Sequence, residues 1–221
     1  MLKQIKDFPN KTTSLDSDFL IMQNPITNET YKITKANLFS ASTVNSKICT
    51  FLNNGDPNGV LYWLGTQKGL AAWNNPIAAG YLAVTMSSIF NGNVATFGNV
   101  SLLGNRVAES GVATANIANQ SVRFDLNSQK LICNAYSIRG RNSNTNEIRN
   151  WKLQASNDSS TWVDIDSVAN TSLANSTWYS KSISGQTIAY RFFRILSTGV
   201  DSGGANILAF DEFEIYGTLQ G

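Results

Sequence analysis

The chain has 221 residues, 17 Lys plus Arg against 15 Asp plus Glu, and no His. Without imidazole the Ser-His-Asp and Cys-His triads and every His-built metal site are excluded. Only 14% of residues are charged and the net charge is +2, with no basic cluster that would imply nucleic-acid binding.

No run approaches the roughly 18 to 20 apolar residues of a membrane span, so no membrane insertion is expected. The sequence contains 26 Asn, 24 Ser and 18 Thr. These side chains compete with a helical backbone for its own hydrogen bonds, which points to strands and turns. The amino terminus lacks the continuous apolar segment of a secretory signal, so the expected product is made in a cytoplasm.

In chain order, Phe19–Met22 and Thr30–Ile33 read as two short strands around a reversal at Asn24–Asn28. Thr34–Phe39 reads as one or two helical turns, and residues 40–50 as a linker. A lone hairpin is marginal in water. Residues 1–50 therefore read as an attachment and oligomerisation module, whose apolar side must be buried on the following domain or on other copies.

Asn54, Asp56 and Asn58 place oxygen donors at every second position, as an EF-hand loop does. Gly65 stands where the bidentate Glu is required, so an EF-hand is rejected. A calcium held by this turn alone remains a candidate, and no other cofactor is expected.

From Val60 onward strand-like runs recur: Val60–Leu64, Tyr81–Met86, Ser121–Leu126, Asn134–Arg139, Trp151–Ala155, Trp162–Ile165, Ser176–Ile183, Arg191–Leu196 and Phe210–Tyr216. Several alternate apolar and polar residues at a period near two, as a half-buried strand does. With polar turns between them, they fit an antiparallel sandwich or barrel occupying residues 51–221. Trp63, Trp151 and Trp162 are expected in its core, with Trp151 and Trp162 on one face. Arg139, Arg191 and Arg194 are expected to pair with carboxylates such as Asp125, Asp211 or Glu214. Cys49 and Cys133 lack redox or metal spacing and read as buried thiols.

The C-terminal half carries four ordered motifs. These are Tyr136-Ser137-Ile138-Arg139, the hairpin from Asn150 to Asp158, Tyr190 to Ile195, and Glu214-Ile215-Tyr216-Gly217. Together they resemble the discoidin, or coagulation factor 5/8 C-terminal type, domain, in the branch found in some ubiquitin-ligase and BTB proteins. The resemblance covers about residues 51–219 and implies an all-β jelly-roll β-sandwich. It also implies a non-catalytic module that binds ligand in loops gathered at one end. In this sequence those loops would present Trp73, Asn74, Asn75, Arg106, Arg141, Asn142, Asp201 and Ser202. A structural calcium is also found in some lineages of that family.

Residues 15–38 are similar to the short leader of phage tail and fibre proteins. That resemblance implies a virion appendage protein of the tail or baseplate. It would be homotrimeric, joined to other virion proteins through residues 1–50, and its sandwich would bind host surface glycan or a neighbouring virion protein. A bacterial lectin-like module outside any virion is the alternative. Hydrolysis by a carboxylate pair, from Asp164 and Asp166 or from Asp211, Glu212 and Glu214, is a third.

Overall fold

The computed structural model describes residues 19–23, 30–34, 46–107, 111–142 and 145–221. The chain divides into two compact units, Met1–Val44 and Asn45–Gly221. In the first, β1 (Phe19–Gln23) and β2 (Thr30–Thr34) form an antiparallel hairpin with Phe19 opposite Thr34. The reversal expected at Asn24–Asn28 and the helical turns expected after Thr34 lie outside the described residues.

The second unit is a β-sandwich. A four-stranded sheet runs in the order β10 (Trp178–Ser182), β7 (Lys130–Arg139), β13 (Glu212–Gln220) and β3 (Lys47–Cys49). The facing five-stranded sheet is ordered β4 (Ala83–Met86), β6 (Ser121–Asp125), β11 (Phe192–Ser197), β8 (Trp151–Ser156) and β9 (Val163–Val168). A two-stranded ribbon joins β5 (Val112–Ala113) to β12 (Ala209–Phe210). All pairings are antiparallel, so side chains at alternate positions face the core.

Phe124 from one sheet stacks on Phe213 from the other at 4.5 Å between ring centres. Trp151 is wholly buried and meets Tyr179 edge-on at 5.2 Å. Its indole N–H donates to the Tyr136 hydroxyl at 3.2 Å, and that hydroxyl donates to Asp166 at 2.7 Å. This satisfies the polar atoms of two core aromatics, as burial requires. Cys49 and Cys133 flank Gly217 from opposite neighbouring strands, are buried and free, and have thiol pKa values pushed up to about 12 by burial. At the bulge between Tyr216 and Gly217, Gly217 has φ +143°, and a Cβ there would lie 2.0 Å from the Ile132 carbonyl oxygen. Only glycine fits.

Three sequence expectations are corrected. Val60–Gly65 is a helix, α1, rather than a strand, and Lys47–Cys49, read as linker, is the edge strand β3. Trp162 is not a core residue. A bulge between Leu153 and Gln154 shifts the β8–β9 register by one residue, and such a slip sends the following side chains to the opposite face. Asp166 therefore points inward to Tyr136, whereas Asp164 points outward, bonded to Lys152 and Gln154 at 2.6 Å each. Trp162 follows the outward phase and lies under the Arg194 guanidinium at 4.1 Å.

β13 is buried on both faces over its first half. Phe213 and Ile215 face the core, while Glu212 and Glu214, also wholly buried, occupy the alternate positions beneath α1 and the loop before β5. Glu214 accepts the Leu61 and Tyr62 N–H groups at 2.7 and 2.9 Å, and the Ile215 N–H at 3.0 Å. The carboxylate thereby takes up amides at the start of α1 that have no partner within the helix. Gly59 passes so close that a Cβ would lie 2.0 Å from the Glu214 side chain. Glu212 accepts the Gly104 and Arg106 N–H groups at 2.8 and 3.0 Å.

Burial outweighs these donors and pushes the Glu212 and Glu214 pKa values up from 4.5 to about 8 and about 7. A carboxyl raised on folding binds its proton more tightly in the folded state. Its stabilising contribution is therefore complete below the unfolded value and is lost as pH rises through the folded one. The thermal midpoint should fall by several degrees between about pH 5 and pH 9, and Glu212→Gln should flatten that fall. A wild-type midpoint no more pH-sensitive than the variant's would contradict the assignment.

Candidate functional site

The start of β13, the end of β7 and the start of β10 coincide, with Arg139 opposite both Glu212 and Trp178. The loops that meet at this end are tied together by arginines. Arg139 donates to Asp211 at 2.7 Å and to the Val107 carbonyl, and its guanidinium lies 5.2 Å from the Trp178 ring centre. Arg106 holds a left-handed backbone at φ +72°. Its side chain donates to the Gly55 carbonyl and stands 5.4 Å from the Trp178 ring and 5.9 Å from the Tyr62 ring. Arg106 thus clamps the loop at residue 55 to the loop held by Glu212. Arg191 pairs with Asp125 at 2.7 Å, as expected of a strand Arg, but Arg194 instead donates to Gln154.

At the same end, a half-buried aromatic pair carries a second arginine. Phe90 and Phe97 meet edge to face at 5.1 Å, and with Ala205 they pack on Ala113, Ile207 and Ala209. The Arg141 guanidinium lies 5.5 Å over the Phe97 ring. Partial burial lowers its pKa, opposed by the Asp211 charge, so the cation is less hydrated than a surface arginine.

The neighbouring loop is set by Asp201, which is 2% exposed and accepts the Gly203 and Ala205 N–H groups at 2.9 Å each. Ser202 exchanges two hydrogen bonds of 3.0 Å with Glu147, one through each residue's N–H. Asn142 is exposed next to Arg141.

The predicted site residues therefore separate. Arg141, Asn142, Asp201 and Ser202 sit in loops at one end; Asp201 shapes its loop, Arg141 lies over Phe97, and Asn142 is exposed beside it. Arg106 is at the same end as a structural clamp.

Trp73 is elsewhere. Its indole packs on Gly65 at the end of α1, where a Cβ would lie 2.1 Å from the indole nitrogen. Asn74 and Asn75 accept the Asn75 and Ile77 N–H groups and fix the turn that follows. Asp56 accepts the Leu52, Asn53 and Asn58 N–H groups at 2.8 to 3.1 Å, and Asn54 accepts the Ser180 hydroxyl at 2.6 Å. Asp56 is thus engaged in shaping the turn, and Asn54 ties the turn to β10.

Sequence reasoning missed Phe97 and Trp178. For Phe97 the available signal was a large aromatic within a run of Asn and Gly, Asn91–Asn99, where no strand period accounts for it; Trp178 stands within the strand run Ser176–Ile183 and carries no separate signal.

An aromatic face beside a partly desolvated guanidinium, with exposed amide and hydroxyl groups on a braced loop, suits a polar ligand with an apolar face. The F5/8 type C domain model matches residues 86–213. Over 173 residues the chain is 32% identical to the E3 ubiquitin-protein ligase hecd-1 of Caenorhabditis elegans, covering 74% of this chain and 6% of that protein. It is 30% identical over 174 residues to the E3 ubiquitin-protein ligase Ufd4 of Drosophila melanogaster, covering 75% and 6%. The chain thus spans about 6% of the length of these two relatives.

Among solved structures, the F5/8 type C domain of a Bacteroides fragilis protein aligns with a TM-score of 0.52 and 13% identity, covering 62% of this chain and 91% of that one. CpGH89CBM32-5 from Clostridium perfringens, solved in complex with GalNAc-β-1,3-galactose, aligns with a TM-score of 0.51 and 15% identity, covering 62% and 96%. At such identity these two establish the fold alone. The family match spans more than half the chain, and on that ground the chain belongs to the F5/8 type C, or discoidin, domain family.

Proposed function

We propose that the sandwich is a non-catalytic glycan-binding module whose ligand lies at the loop end, beside Phe97 and Arg141. The observation that carries this reading is the Arg141 guanidinium 5.5 Å over a half-buried Phe97, beside a loop braced by the buried Asp201. The ring would take the C–H face of a sugar, and the planar guanidinium with Asn142 would take its hydroxyls. The saccharide in the CpGH89CBM32-5 complex supports the ligand class. The buried carboxyls Glu212 and Glu214 are engaged with backbone amides, which favours binding over hydrolysis.

A protein surface is the second ligand class, favoured by the two ubiquitin-ligase relatives. For biological context, the leader-like N-terminal sequence and its hairpin favour a homotrimeric appendage on a phage tail, baseplate or fibre, attached through residues 1–50. Repeated copies would multiply a weak single-site affinity.

A glycan array probed with the full chain should show binding, and Arg141→Ala should weaken the strongest response about ten-fold with the unfolding midpoint retained; Phe97→Ala should weaken it as much, with a lower midpoint because the ring packs on Phe90, Ala113, Ile207 and Ala209. Absence of glycan binding, or binding indifferent to both changes, would contradict the site. Sedimentation at micromolar concentration should give the mass of three chains. A monomer would instead favour a lectin-like module outside any virion.

A further inference from the structure

The outward face of the five-stranded sheet carries an arrangement that neither the core nor the loop end explains. One cross-strand row reads Thr85, Arg123, Arg194, Gln154, Asp164 from β4 to β9, each residue directly opposite the next. Side chains in such a row share a face, so the guanidiniums of Arg123 and Arg194 stand on neighbouring strands at directly opposed positions. Like charges so placed repel.

Neither arginine forms an ion pair among the described residues. The nearest acid of the row, Asp164, is engaged by Lys152 and Gln154. Arg123 donates through one terminal nitrogen to the Ser159 hydroxyl at 2.6 Å, and Arg194 donates through its Nε to Gln154 at 2.7 Å. These bonds, together with the Trp162 ring 4.1 Å from the Arg194 guanidinium, fix both cations in place. A cavity of about 240 Å³ opens over them, bounded also by Trp162, Ser159, Thr85 and Ser121. Partial burial and the neighbouring Arg123 charge lower the Arg194 pKa, opposed by the Asp164 charge.

We propose that this face is a second ligand site, separate from the loop end, in which Arg123 and Arg194 grip the carboxylate or sulfate of an acidic sugar lying beside Trp162. Two positioned guanidiniums offer planar donors matched to an oxyanion. The cavity is smaller than those that hold drug-sized ligands, which limits the occupant to about one sugar ring with its acidic group. Hydroxyl groups and one indole suit such a ring. A protein partner would need larger apolar anchors, and the lining offers only Met86 besides the indole.

The test is a titration of the full chain, followed by NMR at the Trp162 indole and the Arg123 and Arg194 side chains. Probes are glucuronic acid, N-acetylneuraminic acid and galactose-6-sulfate, with neutral galactose and a glutamate-rich peptide as comparisons. Saturable shifts at these three residues with at least one acidic sugar, and none with galactose, are expected. Response to the carboxylated or to the sulfated sugars identifies which oxyanion is held. Arg123→Gln with Arg194→Gln should weaken binding about ten-fold or more, while Arg141→Ala leaves it unchanged. Should the double variant fail to fold, the wild-type titration decides alone. No saturable shift with any acidic sugar, equal shifts with galactose, or response to the peptide only would overturn the proposal. Loss of loop-end binding in Arg141→Ala tests the loop site independently of this one.

Discussion

Two carboxyl groups that face away from the core organise the loop end of this sandwich. Glu212 and Glu214 alternate with Phe213 and Ile215 along β13, so one strand supplies core packing on one side and backbone acceptors on the other. The amides they accept belong to α1 and to the loop carrying Arg106, segments more than 100 residues earlier in the chain. A short helix of six residues has little intrinsic stability, and four of its amides need partners from outside. The closing strand provides two of these partners through Glu214, and Gly59 permits the close approach. Burying the carboxyls is unfavourable in itself, and their raised proton affinity reflects that. What results is a rigid underside for the loops.

That underside accounts for the ties that two arginines make between the loops. Arg106 donates through its Nε to Gly55, Arg139 donates to Val107 and Asp211, and both pack on Trp178, which makes them staples between loops. Arg141 is placed differently: its guanidinium rests over Phe97, and the Asp211 charge opposes the lowering of its pKa by burial.

Much of the sandwich was legible because burial alternates along its strands. In β6, Val122 and Phe124 are wholly buried between half-exposed neighbours, and β11 buries Phe193 and Ile195 in the same way. Where the sequence misled, a distant or irregular feature decides the outcome. The run Val60–Leu64 is apolar without a clear period, and the carboxyl that takes up its first amides lies more than 150 residues away. The three residues of β3 are too few to carry a pattern. Trp162 has the parity of a core residue until the bulge at Leu153–Gln154 is counted, and a bulge leaves little trace in composition. Of the site, the loops holding Arg141 and Asp201 were legible from their polar, turn-forming residues. Phe97 was not, because its partners Phe90 and Ala205 come from separate loops.

The central claim is that buried acids on β13 hold the loop end in one shape. Amide hydrogen exchange at Leu61, Tyr62, Gly104 and Arg106, compared between the wild type and Glu214→Ala, tests it most directly. In the wild type these four amides should be protected as strongly as those of the β7–β13 ladder. Glu214→Ala should expose Leu61 and Tyr62 while leaving Gly104 and Arg106 protected. Rapid exchange of all four amides in the wild type, at the rate of open loops, would contradict the account.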